Sequence, residues 1–155
     1  MPAIMENYPT FAWHGFMDEQ LRQWRKDWLD ALNQLTDIEL QKTSWLDMVP
    51  TNPHWSFIEF MCTYFDDLYL RDNYLYQLHN GTVTLQEYTI LFDWHMALSQ
   101  YKEPKDVYDP YAILNDPLWI EIVKMGVAAK EELLSILDDE EKAILKEKTD
   151  YKKFI

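Results

Sequence analysis

Glycine occupies only positions 15, 81 and 126 of the 155 residues, and this scarcity limits the possible folds more than any other feature. Tight hairpins, bulges and phosphate-cradling loops use glycine to reach backbone angles that strain other residues. The β-branched residues are not gathered into alternating runs either, so helices joined by proline and Asx turns are the expected building blocks. The predicted fold class is all-α, a single compact domain of six to seven helices over residues 1–155.

Helix starts are written into the chain. Asp18 is placed to cap an amphipathic helix in which Leu21, Trp24, Trp28, Leu32 and Leu35 recur at helical spacing, with Arg22, Arg25, Lys26, Asp27 and Asp30 turned to solvent. Thr36 and Glu39 have the spacing of a capping box, which predicts a helix over residues 37–48. Asn52 followed by Pro53 predicts the next start, with the helix running to residue 70. A short helix over residues 73–79 would end at Asn80 and Gly81. The competing reading of "LYQLHNGTVTLQEY" is a small β-hairpin near residues 74–88 turning at Asn80-Gly81. Against it, Thr84 and Glu87 form a second capping box, and Leu85, Tyr88, Leu91, Phe92, His95 and Leu98 continue a helical stripe. Asp109-Pro110 and Asp116-Pro117 open a short turn and then a long helix to residue 137, with Trp119, Ile120, Val123, Val127, Leu133, Leu134 and Leu137 inward. A solvated helix from Asp138 is expected to close the chain.

The charge narrows the choice of partner. The formal net charge is −13, and between residues 43 and 101 a single base, Arg71, stands among Asp47, Glu59, Asp66, Asp67, Asp72, Glu87 and Asp93. Such a field repels nucleic acid and anionic membranes and favours a basic protein. Seven Trp, ten Tyr and seven Phe are a rich supply of rings, and some are expected at the surface, where amphipathic rings make good contacts. The lone Cys62 allows no internal disulfide and is expected to be a small buried hydrophobe in a reducing cytosol. "MPAIMENYPTF" has neither the basic start nor the apolar run of a signal peptide, so a cytoplasmic protein is expected.

Catalytic templates do not fit. The three glycines form no GxGxxG motif, Walker loop or nucleophile elbow, and none of His14, His54, His79 and His95 has a Glu three residues earlier. The chain is read as a non-enzyme with no metal and no cofactor. An alternative is a small helical enzyme using His95 as a base, or Glu59 and Asp66 as an acid–base pair. Another is an acidic nucleic-acid mimic or structural protein. His95 is better explained as a core histidine with one satisfied hydrogen bond.

The densest stretch is "NPHWSFIEFMCTYFDDLYLRD", residues 52–72. At about 100° per residue, Ile58, Met61, Cys62, Phe65, Leu68 and Tyr69 share one side, Glu59, Thr63, Asp66 and Leu70 another with Asp67 beside them, and Phe57, Phe60 and Tyr64 a third. That is a helix with two apolar faces divided by an acidic stripe.

In "NPHWSFIEFMCTYFDDLYL" and the later "YDPYAILNDPLWIEIV", about residues 45–125, the chain resembles bacterial immunity proteins encoded with the ribonuclease toxins of contact-dependent growth inhibition systems. The resemblance implies a cytosolic protein that binds a cognate basic nuclease toxin domain and occludes its active site, with no catalytic residues of its own. The residues expected to meet that partner are Glu59, Tyr64, Asp66, Asp67 and Asp72, with Asp93 and Tyr108 further out.

Overall fold

A computed structural model of the chain describes residues 10–46, 56–105 and 109–148, with side chains from Asp18 onward. Among these residues lie α1 (Thr10–Leu35), α2 (Ile38–Trp45), α3 (Phe57–Cys62) running into a π-helical turn (Thr63–Asp67), α4 (Leu75–Asn80), α5 (Leu85–Gln100), α6 (Pro110–Leu114), α7 (Pro117–Leu134) and α8 (Asp139–Lys146). The described residues contain no strand. The architecture is all-α, with eight helices among the described residues where six to seven were expected, several of them only one or two turns long.

Local chemistry sets most boundaries. Thr84 and Glu87 close a reciprocal capping box at the start of α5, while Asp109 and Asp116 cap α6 and α7 with proline inside the first turn. Gly81 ends α4 in the left-handed conformation, φ 75°, so the Asn80-Gly81 pair stops a helix and the hairpin does not form. Three starts differ from expectation. Asp18 lies exposed inside α1, which begins eight residues earlier at Thr10. Asp37 caps α2 by accepting from the Leu40 amide, while the Thr36 hydroxyl turns back to Leu32 and Asn33 carbonyls. Asn52 and Pro53 lie outside the described residues, and α3 is capped instead by Ser56.

The core runs between α1, α5 and α7, with α8 packed along α1. Trp28, Trp94, Trp119, Tyr64 and Tyr74 are its largest fully buried side chains. The inward side of α7 is Trp119, Ile122, Val123, Gly126, Ala129 and Leu133, while Val127 is exposed. Gly126 explains the shift: a Cβ there would come within 2.7 Å of both Thr36 Cγ2 and Trp94 Nε1, so only glycine permits this close approach to α5. Trp45, Phe57 and Trp119 form a second nest of edge-on and tilted rings, 5.5–5.7 Å between centroids, closed by Tyr101 at 5.1 Å from Trp119. Among the described residues the aromatic rings are therefore spent largely inside.

The terminal helix is not merely solvated. Leu145 is fully buried, and Glu141 reaches Arg25 of α1. Arg25, expected at the surface, gives all its N–H groups to fixed acceptors on three residues: Glu87, Glu141 and the Thr82 carbonyl, at 2.6–3.0 Å. Burial alone would lower its pKa, but the hydrogen bonds and charges of Glu87 and Glu141 outweigh that and raise it. Glu87 thus caps α5 and ties it to α1 with the same carboxylate, and Arg25 carries the tie on to Glu141 of α8.

Candidate functional site

The dense stretch departs from ideal helical geometry after Cys62. Leu68 N and Leu70 N donate to Thr63 O and Phe65 O, five residues back, which widens the turn. The wider turn brings Tyr64 and Phe65 inward together, 0% and 4% exposed, although a regular helix would divide them between sectors. On α3 the inward side is Phe57 and Phe60, Ile58 and Met61 are half-buried, and Cys62 is exposed rather than buried. Burial and the neighbouring Asp66 still raise the Cys62 thiol pKa, so it is not an activated thiolate.

Beyond the π turn the chain doubles back. Tyr69, Asn73 and Tyr74 all take left-handed angles, φ 57°, 59° and 69°, a cost of about 1 kcal/mol each for residues with a Cβ. Buried polar groups hold this reversal. Trp28 Nε1 donates to Tyr74 Oη at 3.0 Å, Tyr74 Oη meets Tyr64 Oη at 2.7 Å, and Tyr64 Oη meets His95 Nδ1 at 2.8 Å. Gln77 Nε2 donates to the Leu68 carbonyl at 3.1 Å. Burial raises the pKa of Tyr64 and Tyr74 and lowers His95 to about 4, against the opposing charge of Asp72. His95 is accordingly a neutral core histidine with one hydrogen-bonded nitrogen, as its sequence context suggested.

Outside this line lies a cleft of about 300 Å³ lined by Phe65, Asp66, Tyr69, Arg71 and Asp72. Arg71 pairs with Asp66 and lies 5.4 Å over the Phe65 ring. Its hydrogen bond holds the Asp66 carboxyl below the usual range. Tyr69 and Tyr76, 60% and 52% exposed, meet edge to face at 5.0 Å. Asp72 Oδ2 accepts the Tyr76 amide at 2.9 Å, so the cleft and the tyrosine pair are one feature.

The residues expected to meet a partner divide accordingly. Asp66 and Asp72 line the cleft, Asp67 follows Asp66 at the surface, and Glu59 and Asp93 are exposed on α3 and α5. Tyr64 is a correction: its ring and hydroxyl belong to the core, leaving no surface for a partner. Tyr108 lies outside the described residues. Tyr69 and Tyr76 were missed as candidates; no helical sector identifies them, because the left-handed backbone at Tyr69 ends the helix that would have turned its ring inward. Glu87 leaves the exposed negative field, since Arg25 neutralises it.

Catalytic alternatives find little geometry. Glu59 is exposed and His95 is 1% exposed, so the two share no common surface. Among the described residues no group of three His, Cys, Asp or Glu side chains is placed to hold a metal ion, and no helix is long and apolar enough to cross a membrane. Comparison with family models, curated proteins and solved structures finds no match to the chain.

Proposed function

We propose that the chain acts by stoichiometric protein binding, its acidic, tyrosine-bearing surface covering a basic site on a partner protein. The observation that carries this reading is the Tyr69–Tyr76 pair, exposed among Asp66, Asp67 and Asp72 beside an arginine already paired with Asp66. Carboxylates steer a cationic partner and set orientation, while exposed amphipathic rings supply area that stays bound. Acidity alone would suffice for a nucleic-acid mimic; the exposed rings favour protein contact.

The resemblance of residues 45–125 narrows the partner to a cytoplasmic ribonuclease toxin domain of a contact-dependent growth inhibition system, neutralised by occlusion of its phosphate-binding site. Nucleases engage phosphates through cationic groups, so an acidic inhibitor occupies the same positions. The test is co-expression with the product of the neighbouring gene. A one-to-one complex that no longer cleaves RNA supports the reading. A neighbour that encodes a metabolic enzyme and forms no complex ends it. Within such a complex, Glu59→Lys with Asp67→Lys should slow association about tenfold at low salt and flatten its salt dependence; an unchanged association rate would remove this surface from the interface.

A further inference from the structure

The buried line from Trp28 to His95 has a direction. An indole nitrogen only donates, and a tyrosine hydroxyl has one hydrogen to give. Trp28 Nε1 gives its hydrogen to Tyr74 Oη at 3.0 Å, so the Tyr74 hydrogen goes to Tyr64 Oη at 2.7 Å and the Tyr64 hydrogen to His95 Nδ1 at 2.8 Å. In the opposite order the Tyr74 hydrogen, fully buried, would have no acceptor among the described residues. Nδ1 therefore accepts, and the neutral His95 ring carries its proton on Nε2.

Beyond the ring, two complementary groups stand without partners. His95 Nε2 is a buried donor and Asp72 Oδ1 a buried acceptor, and neither has a hydrogen bond among the described residues. Both residues adjoin Phe65, and the Asp72 charge reaches the His95 ring. Asp72 Oδ2 holds the Tyr76 amide at 2.9 Å. Around it lie the three left-handed residues Tyr69, Asn73 and Tyr74, and strained backbone of this kind persists only where its surroundings hold it.

We infer that this line is a proton-operated latch: neutral His95 holds the left-handed reversal of residues 69–74 closed through Tyr64 and Tyr74, and a second proton, on Nδ1, releases it. With Nδ1 protonated, the ring donates to Tyr64 and Tyr64 donates to Tyr74. Tyr74 already accepts from Trp28, so its own hydrogen is left buried with no acceptor, which is costly. The new charge on the ring also draws Asp72 away from the Tyr76 amide. Both changes loosen the segment that carries the exposed Tyr69–Tyr76 pair.

The charged and titratable groups around the ring set the direction of the switch. The π turn brings Tyr64 and, beyond Phe65, the Asp66–Arg71 pair; the reversal brings Tyr74 and Asp72; α5 brings Glu87, already paired with Arg25. Asp72 favours the second proton, and burial opposes it strongly enough to lower the ring to about 4. The latch is therefore closed at neutral pH and opens in acid. It stands on the core geometry alone; only its consequence, weaker partner binding in acid, rests on the protein-binding reading.

The test follows the imidazole nitrogens and backbone amides of the full chain by NMR as pH falls. At neutral pH His95 should show a protonated Nε2 and a bare Nδ1. As the ring titrates, the Tyr69, Tyr74 and Tyr76 amides should shift with its midpoint while those of Leu133 and Leu145 stay still. Tyr64→Phe keeps the ring but cuts the line; it should raise the midpoint by about half a pH unit and leave the three amides unresponsive to it. Asp72→Asn keeps a carbonyl for the Tyr76 amide and should lower the midpoint by about half a pH unit with the tautomer unchanged. A proton on Nδ1 at neutral pH, or three amides that follow His95 equally well in Tyr64→Phe, overturns the latch. So does a titration in which all amides move together, since the ring would then report unfolding. A failed toxin co-expression leaves these readouts untouched and removes the immunity reading alone.

Discussion

Arg25 and Arg71 are assembled from the same parts. Each guanidinium lies over an aromatic ring, Trp28 at 5.1 Å and Phe65 at 5.4 Å, and each is paired with a carboxylate. They differ in their access to water. The Arg25 side chain is 14% exposed, between Glu87 at 4% and Glu141 at 19%, whereas Arg71 is 64% exposed beside Asp66 at 46%. Removing a partner from the first pair strands a charge in the interior, and removing one from the second lets water replace it. The same chemistry therefore fastens three helices at one place and shapes an open cleft at the other.

The sharpest way to break this contrast is Arg25→Ala. Glu87 would keep its buried carboxylate with only the Thr84 amide donating to it, and α8 would lose the Glu141 tie to α1. A stability loss of about 3–5 kcal/mol is expected from chemical denaturation. A loss below about 1 kcal/mol would place Arg25 in the same class as an exposed pair.

The difference between the two arginines also marks how far the sequence could be read. Thr84 with Glu87, Asp109 with Pro110 and Asp116 with Pro117 were legible because cap and partner lie within four residues of each other. Arg25 looked like a solvated base because its carboxylate partners lie 62 and 116 residues away. The π turn, which decides that Tyr64 faces the core, depends on how Tyr74 and His95 meet its hydroxyl and has no period of its own. In the cleft, Asp66 and Asp72 were visible as acids in an acidic stretch, while Tyr69 and Tyr76 were not distinguishable from core rings until the chain reversal was known.

A second effect separates the floor of the cleft from its rim. His95 is buried neutral beneath Phe65, with its pKa lowered from 6.5 to about 4. The unfolded chain therefore binds the His95 proton first as pH falls. Its contribution to stability is complete above about pH 6.5 and is lost progressively down to about pH 4, by up to about 3 kcal/mol. His95→Gln should flatten the dependence of denaturation midpoint on pH across that window and leave the steeper carboxylate-driven fall below it. An unchanged slope would mean that His95 is solvated enough to titrate normally, and that the floor of the cleft is as wet as its rim.

The smallest effect belongs to Arg71 and is the most informative about function. Replacing it with alanine removes an exposed ion pair and one face of a ring contact, so stability should change by less than about 0.5 kcal/mol. The cleft, however, would pass from one net negative charge to two, with both Asp66 and Asp72 unneutralised and the Phe65 face open. Arg71→Ala should therefore associate with a basic partner about threefold faster at low salt than the parent chain, with denaturation unchanged. Faster association without a stability change would show that the exposed pair screens the cleft rather than supporting the fold. A loss of more than about 1 kcal/mol would instead make Arg71 a second structural clamp, like Arg25, and erase the distinction between them.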